Sequence, residues 1–425
     1  MNLVKSNYFI FLYNLAWFLL TPFIPFWIYS RVWRGLEEKS RVKERYGFPS
    51  IGKNKSEKLI WIHVASLGES VSASALSKGL RENGYKGQIL ITSGSKTSGN
   101  FLNSITDITH QYHPYDNSNW VKRFLKFWEP DALILMESEI WPNFILNSWL
   151  LGIPVIMASA QISEKSFMRL KFLGLKNTKY IFEKFDIILT VDEMQTKKFK
   201  RLGAKNVSTS ETLKASFPPQ TTNKELLKIF KHNHHNKTII LAASTHDGEE
   251  EILLNCVKKL KRNNFNTLLI IAPRHVERAK TISDLHGLNI KLKSKGEIPQ
   301  TEDQFWICDT YGEMATLYSI ADIVFMGGSL MPHGGHNPSE PCYYSSSILI
   351  GPYTEKCQKL VSEMLEKNAL IKLKSNSLEE IYQVIKQIIT DDHLRKNLTE
   401  SASLLTKEWS SRRKKIADKI IGLFL

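Results

Sequence analysis

A single acidic residue, Glu69, follows a strand-like apolar run in the segment HVASLGES, residues 63–70. The apolar run ends at Val64, and a helix-like stretch begins beside Glu69. An acid in the first turn of a helix offsets the positive end of the helix dipole. The same position suits a general base that takes a proton from a hydroxyl group at the mouth of a cleft. The segment alone leaves both roles open.

Two more acids and a lysine are candidates in the first half of the chain. Glu137 and Glu139 end the apolar run of LILMESEIWPN, just before a Trp-Pro pair that stops the strand. A hydrophobic core has no need of such acids, so they indicate a functional edge. Lys214, in SETLKAS, is placed either to neutralise a departing phosphate or as a solvated surface lysine.

A glycine-rich segment, MGGSLMPHGGHNPSEP at 326–341, is the most informative stretch. Paired glycines let backbone amides approach a ligand closely, and a following helix N-terminus would attract an anion. We expect Asn337 and Ser339 to cap that helix and Glu340 to accept hydrogen bonds from ribose hydroxyls. A plain glycine turn before a capped helix is the alternative. His333 and His336 lack an evident third ligand, so no metal is expected.

Two further turns are predicted to face the same ligand. LLIIAPRH, residues 268–275, ends a buried strand at Pro273 and Arg274, where an arginine can clamp a phosphate or form a surface salt bridge. TYGEMATLY, residues 310–318, places three residues at a strand-to-helix turn whose backbone amides can meet a base or phosphate: Gly312, Glu313 and Met314.

Short apolar runs alternate with amphipathic runs after residue 50, which predicts parallel sheets with helices on both faces. The predicted strands of the first half are Lys58–Val64, Gln88–Ser93, Ala132–Glu137, Pro154–Ala160 and Ile187–Val191. Those of the second half are Thr238–Ser244, Thr267–Ala272, Phe305–Cys308, Ile323–Met326 and Ser347–Ile350. SFPPQTTN, at 216–223, suits a linker between two Rossmann-like halves, and 377–425 is predicted to be helical. Ligands bind at the carboxyl ends of such strands.

The composition is that of a folded protein, with 42% hydrophobic and 23% charged residues. A formal net charge of +15 indicates an anionic partner such as membrane lipid or a phosphorylated substrate. Nucleic acid is disfavoured because the basic residues are dispersed and no binding motif is present. The four cysteines show no CxxC spacing, so neither disulfides nor zinc are expected. The histidine-rich run at 231–237 is interpreted as a solvated loop.

The N-terminus predicts a membrane anchor. Tyr8–Tyr29 carries no charge and is long enough to cross a bilayer, which takes about 20 residues. Pro22 and Pro25 interrupt a regular helix, so insertion in the plane of the membrane is the alternative. A buried core helix is a third possibility. The residues that follow are basic, which predicts a cytoplasmic body. The expected domains are an anchor at 1–30, a first domain at 31–216 and a second at 217–425, whose last helices can pack back on the first.

These motifs, in this order, resemble the Kdo transferases of lipopolysaccharide synthesis, which transfer 3-deoxy-D-manno-octulosonic acid (Kdo) from CMP-Kdo to the lipid A precursor. The resemblance covers nearly the whole chain and is most specific at HNPSEP. It implies a GT-B fold of two Rossmann-like domains, an inverting reaction at the 6'-hydroxyl of lipid IVA, and location at the cytoplasmic side of the inner membrane. It also implies a donor with one phosphate and no metal or other cofactor, in keeping with the missing Asp-x-Asp motif.

The resemblance implies roles for particular residues. Glu69 matches the catalytic base, while Glu139 and Lys214 match positions that stabilise the transition state, with Glu137 able to share the role of Glu139. A helix N-terminus is expected to keep Glu69 ionised. The CMP site is matched by Pro273, Arg274, Gly312, Glu313, Met314, Asn337, Pro338, Ser339 and Glu340. Another GT-B glycosyltransferase and a membrane-tethered nucleotide-binding module without catalysis are the alternatives.

Overall fold

The computed structural model describes residues 8–54, 57–210, 212–213, 215–216, 222–288 and 290–423. Contacts between residues divide the chain into two compact units. The first unit is Met1–Phe217 with Ser410–Leu425, and the second unit is Pro218–Trp409. The C-terminal segment, which the sequence placed in the second domain with the option of packing back, therefore belongs to the first unit. The predicted linker lies largely in 217–221, outside the described residues.

A parallel sheet of seven strands forms the centre of the first unit, in the order β3-β2-β1-β4-β5-β6-β7. Its central strands are runs of aliphatic residues buried on both faces, as a parallel sheet between helices requires. Because the chain order reverses between β1 and β4, a crevice opens at their carboxyl ends. The strands are β1 Leu59–His63, β2 Gln88–Ser93, β3 Thr109–Tyr112, β4 Ala132–Met136, β5 Val155–Ala160, β6 Ile187–Thr190 and β7 Val207–Thr209.

Helices connect these strands and cover both faces of the sheet. They are α3 Leu67–Glu82, α4 Lys96–Asn103, α5 Ser118–Trp128, α6 Pro142–Leu150, α7 Glu164–Phe172, α8 Leu175–Phe182 and α9 Glu193–Arg201. The apolar N-terminal segment forms α1 Tyr8–Leu20 and α2 Ile24–Trp33, joined by a 3-10 turn at Thr21–Phe23, and a 3-10 segment at Lys39–Tyr46 follows.

The second unit repeats the same topology with six parallel strands, in the order β10-β9-β8-β11-β12-β13. The order reverses between β8 and β11, which places a second crevice at the carboxyl ends of those strands. The strands are β8 Thr238–Thr245, β9 Thr267–Pro273, β10 Phe305–Ile307, β11 Ile323–Met326, β12 Ser347–Ile350 and β13 Ile371–Lys372. The helices are α10 Lys224–Asn233, α11 Glu249–Arg262, α12 Ala279–Ser283, α13 Met314–Ile320, α14 Gln358–Glu366, α15 Leu378–Thr390 and α16 Asp392–Ile421, the last of which enters the first unit at Ser410.

All ten predicted strands are confirmed, and β3, β7 and β13 are additional. The solvated-loop interpretation of 231–237 is wrong. The run begins in α10, and His234 is buried with its Nε2 3.2 Å from the carbonyl oxygen of Pro299. The helical prediction for the C-terminal region is confirmed by α15 and α16.

The end of α16 is fastened to the first unit by a buried arginine. Arg413 binds both carboxylate oxygens of Glu82 at 2.7 and 2.9 Å and donates to the carbonyl oxygen of Ser216 at 3.1 Å. A Cβ on Gly79 of α3 would lie 2.7 Å from Cγ of Arg413, so only glycine allows α16 to pack this closely.

The two N-terminal helices lie along the first unit over their whole length. Partly buried side chains recur on one face, and the opposite face is exposed and apolar, so they are not core helices. Hydrogen bonds attach the inner face of these helices to the rest of the first unit. The Tyr13 hydroxyl donates to Asp116 at 2.8 Å, Asn14 accepts from Asn143 at 2.9 Å, and Thr21 accepts from Asn117 at 3.1 Å.

Tyr13→Phe tests this docking. Asp116 is fully buried and also accepts the backbone N–H groups of Asn143 and Phe144 at the start of α6. Loss of the tyrosine hydroxyl should lower the free energy of unfolding by about 1 kcal/mol and speed proteolysis within 8–33. Tyr8→Phe is the matched control, since that ring is 73% exposed. Equal proteolysis rates for the two variants would show that the bond does not hold the helix.

Candidate functional site

Glu69 is held by reciprocal hydrogen bonds, similar to those of a capping box, at the N-terminus of α3. The Ser66 side chain caps the helix by accepting from the backbone N–H of Glu69 at 3.3 Å. The carboxylate of Glu69 accepts in turn from the backbone N–H of Ala65 at 2.7 Å and from the Ser66 hydroxyl at 3.1 Å. This reciprocal bonding fixes the carboxylate directly after β1.

The environment of Glu69 differs from the one expected. Burial is the main cause that raises the pKa of Glu69 to about 7; the hydrogen bonds from Ala65 and Ser66 lower this pKa, and the charges of Glu139 and Glu137 raise it. The pKa of Glu69 therefore lies above the usual range of a glutamate although the side chain is at a helix N-terminus, because burial and two neighbouring carboxylates oppose its ionisation. A carboxylate with a pKa near the working pH suits a general base.

Glu139 lies beside Glu69 because β4 pairs with β1. Its Oε2 accepts from the indole N–H of Trp141 at 2.7 Å and lies 3.5 Å from Nε2 of His63, the limit of a hydrogen bond. Burial alone would raise the pKa of Glu139, but His63 and Trp141 outweigh it and hold the pKa below the usual value. The pKa values of the neighbouring carboxyl groups of Glu69 and Glu139 are thus shifted in opposite directions, which is a common arrangement at catalytic sites.

Glu137 has a different position. Its backbone is left-handed, with φ of 52°, and its main chain continues the pairing of β4 with β5 through Ala158 and Gln161. Its carboxylate is buried and accepts from the side chain of Gln161 at 2.6 Å. The carboxylate of Glu139, in contrast, contacts the rings of Trp141 and His63. Lys214 lies outside the described residues.

Buried polar residues support the edge of this sheet. His63 is held by Thr92 at 2.9 Å, and His113 donates from Nδ1 to the carbonyl oxygen of Pro114 at 2.8 Å. Burial lowers the pKa of His113 well below the usual value, so this ring is neutral. Arg45 is buried, pairs with Glu37 at 3.0 Å and donates to the Gly94 carbonyl at 2.8 Å. Arg45 is thus a structural residue rather than a surface charge.

In the second unit the glycine-rich segment folds back on itself at the end of β11. A Cβ on Gly327 would lie 2.3 Å from the carbonyl oxygen of Ser244, so the loop approaches β8 as only glycine can. The backbone N–H of Gly335 bonds to the carbonyl oxygen of Gly328 at 2.7 Å, and that of His336 bonds to Gly327 at 3.1 Å.

A buried carboxylate, Glu249 at the start of α11, holds this loop. It accepts four backbone N–H groups, from His246, Gly328, Ser329 and Leu330, at 2.8 to 2.9 Å. Its side chain is fully buried. Sequence reasoning missed Glu249, because in the run of three glutamates it looks like an ordinary complement to the helix dipole.

Arg274 is brought to the same edge from β9. Its backbone N–H bonds to the carbonyl oxygen of Thr245 at 3.0 Å, while its side chain is exposed. Burial lowers the pKa of His336 to about 4, and the charge of Arg274 contributes, so the guanidinium lies near the glycine-rich loop. Within the part of the chain that the structure describes, no carboxylate forms a salt bridge with Arg274, and an anion can bind there. Pro273 ends the strand and is buried.

Gly312, Glu313 and Met314 lie between β10 and α13, as predicted. Gly312 has φ of 86°, a conformation that glycine adopts without strain. The Glu313 carboxylate accepts from Lys293 at 2.6 Å, so it is occupied by an ion pair. Met314 is the first residue of α13.

The prediction of a capped helix after HNPSEP is wrong. Only a 3-10 turn, Pro341–Tyr343, follows, because the chain enters β12 at residue 347 and has no room for a helix. Asn337 instead closes a turn by accepting from the backbone N–H and the hydroxyl of Ser339, at 3.0 and 2.8 Å. Pro338 is buried in this turn. Burial raises the pKa of Glu340, whose charge in turn acts on Tyr318 of α13.

Histidines surround the glycine loop. Nε2 of His246 lies 2.8 Å from Nε2 of His336, and the His246 ring stacks on His333 with 4.4 Å between centroids. Burial is the main cause that lowers the pKa of His246. Across the described ranges, no group of three or more histidine, cysteine or acidic side chains is arranged to hold a metal ion.

Two α/β units, each with its candidate residues at a topological switch point, place the protein in the GT-B fold class. The fold resembles a glycosyltransferase from Rickettsia africae, with a TM-score of 0.57 and 14% identity over 87% of this chain and 98% of that chain. It also resembles the UDP-GlcNAc 2-epimerase of Neisseria meningitidis, with a TM-score of 0.54 and 13% identity over 82% of this chain and 98% of that one.

The sequence relatives are more specific. The family model of 3-deoxy-D-manno-octulosonic-acid transferase (kdotransferase) matches residues 40–217. The 3-deoxy-D-manno-octulosonic acid transferase of Rickettsia bellii is 34% identical over 97% of this chain and 98% of its own length. That of Haemophilus influenzae is 28% identical over 85% of this chain and 86% of its own. The chain belongs to the Kdo transferase family and is a glycosyltransferase of lipopolysaccharide synthesis.

Proposed function

We propose that the protein transfers Kdo from CMP-Kdo to the 6'-hydroxyl of the lipid A precursor lipid IVA, with inversion and with Glu69 as general base. The observation that supports this most is the carboxylate of Glu69 after β1, with a pKa near 7 and Glu139 beside it. The resemblance to the Kdo transferases supplies the donor and the acceptor.

Proton and bond changes follow from these positions. The acceptor hydroxyl oxygen attacks the anomeric carbon of Kdo and gives its proton to Glu69. The bond from that carbon to the CMP phosphate breaks, and CMP leaves with the electron pair. Glu139, whose pKa lies below the usual value, remains negative and stabilises positive charge that develops on the sugar. We assign Lys214 the role of neutralising the leaving phosphate.

We propose that CMP is held in the second unit. Arg274, exposed at the end of β9, binds the phosphate, and the turns at Gly312–Met314 and Asn337–Glu340 bind the nucleoside. Glu340 accepts the ribose hydroxyls. A single phosphate carries less charge than a diphosphate, so we propose that these groups stabilise the leaving group without a metal.

The enzyme is proposed to work at the cytoplasmic side of the inner membrane. The described part of the chain has one helical segment, Tyr8–Trp33, that is long and apolar enough to cross a membrane. Its inner face is bonded to the first unit at Tyr13, Asn14 and Thr21, so we favour a position in the plane of one leaflet over a span. Exposed basic residues that follow it attract anionic lipid.

Acceptor-dependent release of CMP tests the proposal. CMP-Kdo is incubated with the protein in vesicles containing tetra-acylated lipid A precursor, and CMP is measured by chromatography. We expect release only with the acceptor, at the same rate with EDTA present. Binding of CMP-Kdo without any acceptor-dependent release would favour the binding-module alternative. Inhibition by EDTA that added magnesium reverses would contradict the metal-free mechanism alone.

The donor assignment predicts a nucleotide preference. CMP should raise the melting temperature of the protein more than UDP at equal concentration, because binding to the folded state stabilises it by mass action. Arg274→Met should reduce the shift caused by CMP, while Arg262→Met, at the end of α11, should leave it unchanged. A larger shift with UDP would indicate a different glycosyltransferase.

A further inference from the structure

A cavity of about 690 Å³ lies in the first unit, between the N-terminal helices and the carboxyl edge of the sheet. This volume is in the range of ligand sites, about 300 to 1,000 Å³. One wall comes from α1, α2, the turn that joins them and Glu37, and the other wall comes from the loops after β1, β2, β3 and β4. The cavity therefore joins the membrane-facing helices to the edge that carries Glu69 and Glu139.

The helix wall is apolar and exposed. Leu20, Phe23 and Trp27 line the cavity, and their side chains are 54%, 67% and 48% exposed. Exposed large apolar side chains in a concave wall indicate an apolar ligand or a membrane. The hydrogen bonds that Tyr13 donates to Asp116 and that Asn117 donates to Thr21 hold this wall in place.

The opposite wall reaches the candidate catalytic carboxylates. Ala65 and Trp141 both line the cavity. The backbone N–H of Ala65 donates to Glu69 at 2.7 Å, and the indole N–H of Trp141 donates to Glu139 at 2.7 Å. A ligand that fills the cavity thus contacts Ala65 and Trp141, and each of these residues donates a hydrogen bond to one of the two carboxylates.

The charged side chains of the cavity and His113 are already engaged, whereas the buried hydroxyl of Tyr115 has no hydrogen-bond partner among the described residues. Arg31 pairs with Glu37 at 3.0 Å, and Nδ1 of His113 donates to the carbonyl oxygen of Pro114. Asp116 accepts three hydrogen bonds. A sugar would find few partners for its hydroxyl groups here, whereas a hydrocarbon chain needs none.

We propose that this cavity binds an acyl chain of the lipid acceptor, and that the N-terminal helices are part of the acceptor site as well as a membrane anchor. The identity of the acceptor rests on the proposed function. The outer face of the same helices, with Phe18 and Phe26 73% and 76% exposed, contacts the bilayer, so a chain can enter from the leaflet without crossing water.

A matched pair of variants separates the cavity from the membrane. Phe23→Ala removes a ring that lines the cavity, and Phe26→Ala removes an equally exposed ring that is not among the lining residues. Kcat/KM is measured with the acylated acceptor and with the deacylated disaccharide phosphate. The preference for the acylated acceptor should fall about tenfold in Phe23→Ala, the value expected for loss of a buried aromatic contact. It should stay at the wild-type value in Phe26→Ala, and vesicle binding should fall equally in both. Equal preferences in the two variants would overturn the proposal.

Photo-crosslinking locates the acyl chain of the bound acceptor even if no Kdo is transferred. An acylated disaccharide phosphate with a diazirine on one acyl chain is bound to the protein in vesicles and irradiated. We expect adducts at Trp141 or at Gly94–Ser95, which line the cavity away from the bilayer, and competition by unlabelled glycolipid. Adducts confined to outer-face residues such as Phe18 would overturn the acyl site. Adducts at Trp141 without Kdo transfer by the wild type would support the acyl-chain site and contradict the proposed function.

Discussion

Glu69→Gln is expected to lower the rate of Kdo transfer by about 100- to 10,000-fold, the usual contribution of a general base. The amide cannot take the proton of the acceptor hydroxyl, but it keeps the size of the side chain and can still accept from the backbone N–H of Ala65. CMP binding should be unchanged, because the proposed nucleotide residues belong to the second unit. The measurement is kcat for transfer, with CMP-dependent melting as a check on folding.

The matched control for Glu69→Gln is Glu164→Gln. Glu164 is also in the first turn of a serine-capped helix of the first unit, α7, so it shares the interaction with the helix dipole. If Glu69 only stabilises α3 through its interaction with the helix dipole, both variants will transfer Kdo at the wild-type rate. That result would remove Glu69 from the mechanism.

The raised pKa of Glu69 gives a pH dependence with a defined sign. Only the deprotonated carboxylate accepts a proton, so kcat/KM should rise from pH 6 to pH 8 by about tenfold for a pKa of about 7. Folding shows the opposite trend. An acid whose pKa is raised by folding is stabilising when protonated, and this contribution is lost as the pH rises through 7. Glu69→Gln should therefore melt no lower than the wild type at pH 8.

Glu249→Gln is expected to destabilise the protein by about 2 to 4 kcal/mol, because a buried charge that accepts four backbone N–H groups is replaced by a neutral amide. One oxygen of the carboxylate becomes an NH₂ group facing N–H donors. The loop at 327–336 should loosen, so CMP affinity should fall together with stability. Urea unfolding and hydrogen exchange of the loop amides measure the two effects.

Glu251→Gln is the control for Glu249→Gln. This exposed acid lies in the same first turn of α11 and has the same position relative to the helix dipole. We expect a change in stability of less than about 0.5 kcal/mol. If the two variants unfold at the same urea concentration, the four bonds to Glu249 do not hold the glycine loop.

The sequence predicted the strands well because runs such as LIWIHV and LLIIAP are buried on both faces of a parallel sheet. β3, β7 and β13 were missed because THQY, VST and IK are short and largely polar. Glu69 and Glu139 lie close together because β1 and β4 are neighbours in the sheet. The alternation of strands and helices along the sequence does not predict this, since it does not give the order of the strands.

Other features depend on tertiary contacts that leave no local pattern. Glu249 reaches a loop about 80 residues away, and its role arises only when β8 and β11 pair. The pKa of Glu69 depends on burial and on Glu139, so its position at a helix start gave no sign that the pKa is raised. His63 was within the motif that drew attention to Glu69, and a histidine ending a buried strand was the available signal for a partner of Glu139.

The most direct test of the central claim is mass spectrometry of tetra-acylated lipid A precursor after incubation with CMP-Kdo and either the wild type or Glu69→Gln. The wild type should add one or more Kdo units, and the number is read from the mass. Glu69→Gln, shown by its melting curve to be folded and to bind CMP, should add none over the same time. Kdo addition by the variant at the wild-type rate would contradict the assignment of Glu69 as the base, and no addition by the wild type would contradict the proposed reaction.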